Sequence, residues 1–479
     1  MAYSRPSIIA SLRAWLALVG LLFAASGTLL HAATLQEQVD LAVGAFTSGE
    51  YPESYWAFES IELDFGREPE FLDRDFQKTI LPVRAYAAMM AERPTDALVH
   101  FEILLSEYET SPSIQAFALY NTAIALSQTG ALARSAEVFR KFRLNYSGSN
   151  EAHLARLQEA DLLAEIGETA AANQLLDDFY GSDAPGSLRM QGRLRALQLA
   201  SETGDSGRAR ELLFKTDWAL DSMPNIAVLS FAALEAGDLL LENGRHNEAI
   251  RAYRLSLPRD VLIEKQRERL TATRQAFSQQ AAFASSIWKS HSSQLIARLE
   301  AQLERLETMP DYTPGLYLRS GQAYLLGERY REAAILFRTL AKSENHESDL
   351  RAEAHYRWIL ALNQAEKWAA AREAADLFLD IHPEHALANS ALFLVARTYQ
   401  GEGKFPEAIE VLDDLIANFP DDKQAPRWYF TRGYNYSILE QQQQARENFE
   451  QAARRFPASE LRTQLRMWAA LTYFFERDY

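Results

Sequence analysis

The chain has 479 residues, a formal net charge of −16 at pH 7 and no cysteine. The acidic balance argues against binding to nucleic-acid phosphates or to anionic lipid, because both need a basic protein surface. The lack of thiols excludes disulfides, zinc–thiolate sites and thiol catalysis. Gly and Pro are sparse and no alternation of apolar and polar residues is sustained, so an all-α chain is predicted.

The first 33 residues have the layout of a secretory signal. Arg5 and Arg13 precede an apolar, uncharged run, which ends at the small residues Ala32 and Ala33. This order predicts a signal peptide over 1–33 and therefore an exported protein of the periplasm or cell envelope. An uncleaved inner-membrane anchor is the alternative, since the run approaches the roughly 20 residues that span a bilayer.

The next segment, 34–257, carries a weak repeat of small and large apolar residues, such as Ala97 with Phe101 and Ala172 with Leu176. We interpret it as a degenerate array of helix pairs. Glycines recur at spacings that suit the turn inside each pair, along the whole chain. These glycines are Gly49, Gly130, Gly167, Gly204, Gly244, Gly327 and Gly403.

The repeat lapses over 258–312. Between Pro258 and Pro310 there is neither Gly nor Pro, and the residues favour helix. We interpret this segment as a long helical insertion or helix pair that joins two arrays. A projecting coiled coil that recruits a partner or dimerises is the alternative, although no sustained heptad pattern supports it.

The segment 313–462 repeats with a period of 37 residues. One column of this repeat holds only alanine and another only proline. The members are Ala371, Ala408 and Ala445 in the first, and Pro383, Pro420 and Pro457 in the second. A fixed period of about 20 to 50 residues is typical of a solenoid, in which each unit buries its apolar face against its neighbours.

The best-defined unit has the pattern G-x-x-Y…A-x-x-x-F at Gly321, Tyr324, Ala333 and Phe337. Here the chain resembles the tetratricopeptide repeat family, in particular exported members from Gram-negative cell envelopes. The resemblance implies an α-solenoid of helix-turn-helix repeats, wound as a right-handed superhelix. It further implies a scaffold or adaptor that binds a protein or peptide segment in its concave groove. Such proteins are rarely enzymes.

In this family the first helix of each repeat lines the groove, at its second, fifth and ninth positions. The candidates are Tyr356, Phe393, Arg397, Arg427, Phe430, Tyr434 and Met467. Exposed aromatic and Arg side chains are typical anchors of protein recognition. Alternatively these side chains fill the space between adjacent helices. Arg397 and Arg427 fit that interpretation less well and could hold a carboxylate.

No catalytic residue, cofactor or metal site is predicted. The pair His382 and His385 flanks Pro383 of the proline column, so we assign it to a turn between repeats and not to zinc. The Gly-rich stretch 401–404 lacks the spacing of a phosphate loop and is also interpreted as a turn.

The last segment, 463–479, is an incomplete repeat that stops at Tyr479 after one helix. We expect either a partner that covers this end or a natural protein that continues further. The envelope roles implied by the resemblance are assembly, secretion and polysaccharide export, and self-association stays open. The alternative function is the helical scaffold of a longer enzyme, such as a peptidoglycan lytic transglycosylase-like protein, whose active domain is absent here.

Overall fold

The computed structural model describes residues 34–218, 226–280, 286–343 and 347–476. Within these ranges the chain forms 23 α-helices and no strand. The predicted signal peptide and Tyr479 lie outside the described residues. None of the helices in these ranges combines the length and the apolar character that crossing a membrane requires.

The chain folds as two compact units. One contains the described residues of 34–226 and 273–297, and the other those of 227–272 and 298–476. The first ten helices are α1 (Leu35–Ser48), α2 (Tyr51–Phe65), α3 (Arg74–Met90), α4 (Pro94–Glu107), α5 (Pro112–Gln128), α6 (Leu132–Asn145), α7 (Asn150–Glu165), α8 (Thr169–Tyr180), α9 (Gly186–Glu202) and α10 (Ser206–Lys215). They form five helix-turn-helix pairs, and each pair packs against the next.

The remaining helices form five more pairs, a long hairpin and one final helix. They are α11 (Ile226–Glu242), α12 (His246–Tyr253), α13 (Arg259–Gln280), α14 (Ser286–Thr308), α15 (Thr313–Leu326), α16 (Tyr330–Ala341), α17 (Ser348–Gln364), α18 (Trp368–Ile381), α19 (Ala388–Gly401), α20 (Phe405–Asn418), α21 (Ala425–Ile438), α22 (Gln442–Arg455) and α23 (Arg462–Phe475). The hairpin is α13 and α14, which lie in the segment where the sequence repeat lapses.

The base of the hairpin is packed, and the repeat array continues past it. Gln266 of α13 donates from Nε2 to the Leu299 carbonyl at 3.1 Å, and both residues are buried. Helix α12 packs directly on α15, and the Tyr312 hydroxyl donates to the Leu257 carbonyl at 2.6 Å. The pair before the hairpin therefore stacks on the pair after it.

A small residue on the first helix of a pair allows the second helix to approach closely. A Cβ atom at Gly321 would lie 2.5 Å from Cε1 of Phe337, and one at Gly433 would lie 2.7 Å from Cε1 of Phe449. Both distances are shorter than carbon atoms tolerate, so only glycine fits against these rings. Both phenylalanines are fully buried. The pattern that identified the repeat is therefore a packing constraint.

Each pair turns through one residue in the left-handed region of backbone conformation. Six of these residues are predicted turn glycines: Gly49, Gly130, Gly167, Gly204, Gly244 and Gly403. Four are glutamates: Glu92, Glu328, Glu366 and Glu440. Gly327, also predicted as a turn glycine, has an ordinary φ of −83°, because Glu328 next to it takes the left-handed position with φ of 60°. In the four pairs without a left-handed glycine, a glutamate therefore adopts the left-handed conformation of the turn.

Candidate functional site

A groove in the second compact unit is lined by the first helices of successive pairs. It has a volume of about 570 Å³. Four predicted residues line it, namely Arg397 of α19 and Arg427, Phe430 and Tyr434 of α21. The structure therefore brings these four side chains together. The lining is completed by residues that the sequence did not single out, mainly Asn363, Trp368, Gln400, Leu461, Gln464 and Trp468.

One wall of the groove is an aromatic cluster that joins α21 to α23. The Trp468 ring meets Tyr434 edge-on at a centroid distance of 5.4 Å and Phe430 at 6.0 Å. Phe430 also lies 5.7 Å from Phe449, which is buried beneath it. Such packing holds the exposed parts of the rings in fixed positions, as an anchor site requires.

Met467, a predicted groove residue, does not line the groove. Its side chain is 53% exposed, and its neighbour Trp468 occupies the wall instead. Consecutive residues on a helix point about 100° apart, so a shift of one position decides which side chain meets α21. The rings of Phe430 and Tyr434 provide a larger contact for Trp468 than Met467 could make.

Phe393 and Tyr356, the two other fifth-position residues, are not among the residues that line this groove. Phe393 is 6% exposed and belongs to the hydrophobic core of the last pairs. The guanidinium carbon of Arg427 lies 5.8 Å from the Phe393 ring centroid, so the ring supports the cation. Burial raises the pKa of the Tyr356 hydroxyl, and the positive charge of Arg427 acts in the opposite direction. Phe393 is therefore a packing residue that supports Arg427, whereas Tyr356 packs against the hydrophobic core between α17, α18 and α19.

The groove concentrates positive charge in an acidic protein. No carboxylate lines it. Arg397 and Arg427 are exposed, and neither makes an ion pair within the described part of the chain. Arginines nearby are neutralised by contrast, as Arg372 is by Glu402 at 3.0 Å. Two unpaired guanidinium groups beside aromatic rings form a site suited to a carboxylate.

A second cleft adjoins the groove. Its volume is about 790 Å³, and it is bounded by the turns that flank α21 and α22. Arg427 and Leu461 line both cavities. Phe456 adds an apolar surface to the second cleft, and Lys423 adds a further cation. A chain that lies in the groove can therefore continue past Arg427 into this cleft.

The residues that sequence reasoning missed fall outside the three positions used for prediction. Trp368 begins α18, and its ring packs on Gly401, where a Cβ would lie 2.7 Å from Cζ2. Asn363 donates from Nδ2 to the Leu394 carbonyl at 3.0 Å and links α17 to α19. No pattern assigned these residues to the groove, although a tryptophan one position after a predicted groove residue was a usable signal for Trp468.

The two motifs set aside as turns occupy turns. His382 and His385 lie between α18 and α19. Gly401 ends α19 and residues 402–404 lie between α19 and α20, where the Lys404 amide donates to the Tyr399 carbonyl at 2.9 Å. Among the described residues no group of three or more His, Asp or Glu side chains has an arrangement that could hold a metal ion.

Family comparison identifies the repeats. A model described as a tetratricopeptide repeat-like domain matches residues 104–276, and one described as a tetratricopeptide repeat matches residues 390–422. The second match contains Arg397 and most of α19 and α20. The chain thus contains tetratricopeptide-repeat domains, and the class of protein is a helical repeat scaffold of the kind that mediates protein–protein interaction.

Comparison with solved structures gives low sequence identities. Yeast Tom70 is 13% identical over 85% of this chain and 97% of its own, with a TM-score of 0.29. A tetratricopeptide repeat protein from Parabacteroides merdae is 12% identical over 67% and 98%, with a TM-score of 0.28. The TPR domain of P58(IPK) is 14% identical over 82% and 96%, with a TM-score of 0.24. No curated protein sequence matches the chain significantly.

Proposed function

We propose that this protein is a non-enzymatic scaffold that binds an extended, acidic segment of a partner protein in the groove of α19, α21 and α23. The observation that carries the proposal is the pair Arg397 and Arg427, two unpaired cations in a groove that no carboxylate lines. Guanidinium groups bind carboxylates through paired hydrogen bonds, so an Asp or Glu side chain or a chain terminus fits here.

The rest of the groove suits a peptide with apolar residues beside the acid. Phe430, Tyr434 and Trp468 offer ring faces and edges for an aliphatic or aromatic side chain. Gln400 and Gln464 place amide groups where they can hydrogen-bond the backbone of an extended chain. The adjoining cleft beyond Arg427 can take further residues. Recognition then depends on a few anchors and not on buried area alone.

A peptide selection tests this function. We expect a phage-displayed library of random dodecapeptides, selected on the full chain, to yield sequences with Asp or Glu next to an aromatic or large aliphatic residue. Synthetic peptides with these sequences should bind in solution, and replacing the acid by its amide should weaken binding at least about tenfold, because one charge-assisted contact is lost. Enrichment of basic or purely apolar sequences would contradict the proposal.

We further propose that the protein is exported and acts in the cell envelope, in assembly, secretion or polysaccharide export. The support is the order of charge and hydropathy in residues 1–33, together with the lack of cysteine. Expression of the full chain in a Gram-negative host should give a periplasmic protein whose mass indicates cleavage near Ala33. A cytoplasmic protein that retains residues 1–33 would contradict export and leave the peptide-binding proposal intact.

A further inference from the structure

Three histidines lie together where α17, α18 and α19 meet. His355 is on α17, and His382 and His385 are in the turn between α18 and α19. We call these three residues the histidine seam. The ring centroids of His355 and His382 are 6.1 Å apart, and those of His382 and His385 are 6.3 Å apart. The proposed peptide-binding function uses none of these three histidines.

His355 is packed as an apolar ring. It is 1% exposed and stacks on Trp358 at a centroid distance of 5.3 Å, while Phe378 meets it edge-on at 5.3 Å. Neither ring nitrogen has a hydrogen-bond partner of normal geometry, although the Ala374 carbonyl lies near enough to favour the protonated ring. A buried polar ring without partners costs stability, and its charged form would cost more.

The other two histidines differ in their hydrogen-bond partners. His382 is 7% exposed, and its Nε2 has no partner. His385 accepts a hydrogen bond at Nδ1 from the Leu387 amide at 3.1 Å, while its Nε2 lies 2.9 Å from Asp349.

The charged groups around the seam do not offset a proton on His355. The groups whose charges act on this ring are His382 from the turn, Arg351 from α17 and Lys342 from the end of α16, and each is a cation when protonated. His382 in turn is acted on by Arg351 and His385. Within the described residues, the carboxylate paired with the seam is that of Asp349, which contacts His385 and is 93% exposed.

We propose that the histidine seam makes the junction between the pair α17–α18 and α19 an acid-sensitive joint, which loosens when His355 and His382 take up protons. Opening gives the rings access to water, which stabilises their charged forms. Opening of the joint should disturb the groove, because Asn363 of α17 donates a hydrogen bond to the Leu394 carbonyl of α19. Arg397, a groove residue, also lies on α19. The effect on the groove rests on the proposed function, whereas the opening of the joint does not.

The direction of the pH effect follows from the histidine pKa values. Burial, reinforced by the neighbouring cations, lowers the pKa of His355 to about 4 from an ordinary value of 6.5. Burial also lowers the pKa of His382. The opened joint therefore binds protons that the closed joint does not. The closed joint is consequently most stable above pH 6.5, and its stability falls as the pH drops from 6.5 towards 4. Between pH 7 and pH 5 the protonation of His355 alone should shift the equilibrium towards the open form by roughly twentyfold.

Hydrogen–deuterium exchange of the full chain at pH 7 and pH 5, corrected for the intrinsic exchange rate, measures this opening. Peptides from α17 and α18 should show an acid-induced rise in opening of roughly twentyfold. The variant His355→Phe keeps a packed ring that cannot be protonated, so it should lose most of that rise. His382→Gln should reduce the rise in part and serves as the test if His355→Phe does not fold.

His100→Gln is the matched control, because burial also lowers the pKa of His100 to about 4 but this residue lies on α4 of the other compact unit. It should leave the acid response of α17 and α18 unchanged. An equal acid response in wild type, His355→Phe and His382→Gln would overturn the proposal. So would a response in α17 and α18 no larger than that in α21 and α22. Neither result would affect the peptide-binding proposal.

Discussion

Replacing Phe449 by Ala is expected to lower the free energy of opening of the last helix pairs by about 3–5 kcal/mol, the usual cost of removing a buried ring. Phe449 is fully buried, lies against the glycine position of α21, and contacts both Phe430 and Trp468 of the groove wall. Truncation removes these contacts and leaves a cavity that the helical backbones cannot fill.

Native-state hydrogen exchange in α21 and α22 measures this cost directly. In a repeat array each unit contacts only its neighbours, so the loss should be confined to the last pairs and leave α1 to α10 unchanged. Phe419→Ala is the control, because Phe419 lies in the turn after α20 and is 43% exposed. We expect it to cost about 1 kcal/mol or less. A Phe449→Ala chain with wild-type exchange in α21 would show that the ring is not structural.

Reversing the charge of both groove arginines, Arg397→Glu with Arg427→Glu, is expected to weaken binding of a selected acidic peptide by at least about 100-fold. Each charge-assisted hydrogen bond contributes about 1.5–3 kcal/mol, and the reversal also adds repulsion. The fold should be kept, because both side chains are exposed and neither makes an ion pair in the described residues. Fluorescence anisotropy with a labelled peptide gives the affinity, and circular dichroism checks the helix content.

Arg454→Glu is the matched charge reversal. Arg454 lies on α22 outside the groove lining, is 72% exposed, and pairs with Glu450 at 3.2 Å. It changes the net charge in the same direction, so it should reduce affinity no more than about twofold through long-range electrostatics. A similar loss in both variants would indicate attraction by overall charge and would remove the groove arginines from the binding site.

The repeat could be predicted from sequence because its signature is a packing rule. Gly321 and Gly433 stand where a ring of the next helix leaves no room for a Cβ atom, so the residue type follows from the contact. The same register predicted that Arg397, Arg427, Phe430 and Tyr434 would be neighbours, and they share one groove. Residues spaced by one repeat fall on equivalent faces of stacked helices, so no knowledge of distant contacts was needed.

Features that depend on side-chain partners could not be predicted in this way. Acidic residues are frequent along the chain, so the sequence could not show that Arg372 is paired whereas Arg427 is not. The exposed Met467 and the groove residue Trp468 differ by one helical position, which periodicity does not resolve. His355 had no motif at all, because its approach to the turn histidines depends on the packing of α17 against α18.

The most direct test of the central claim is to locate a selected acidic peptide on the full chain by photo-cross-linking. p-Benzoylphenylalanine would replace Gln400, which lines the groove, and in a second variant Gln443, an exposed glutamine on α22 outside the lining. A groove that binds the peptide predicts cross-links from position 400 that unlabelled peptide abolishes, and none above background from position 443. Equal cross-linking from both positions, or cross-linking from position 443 alone, would contradict it.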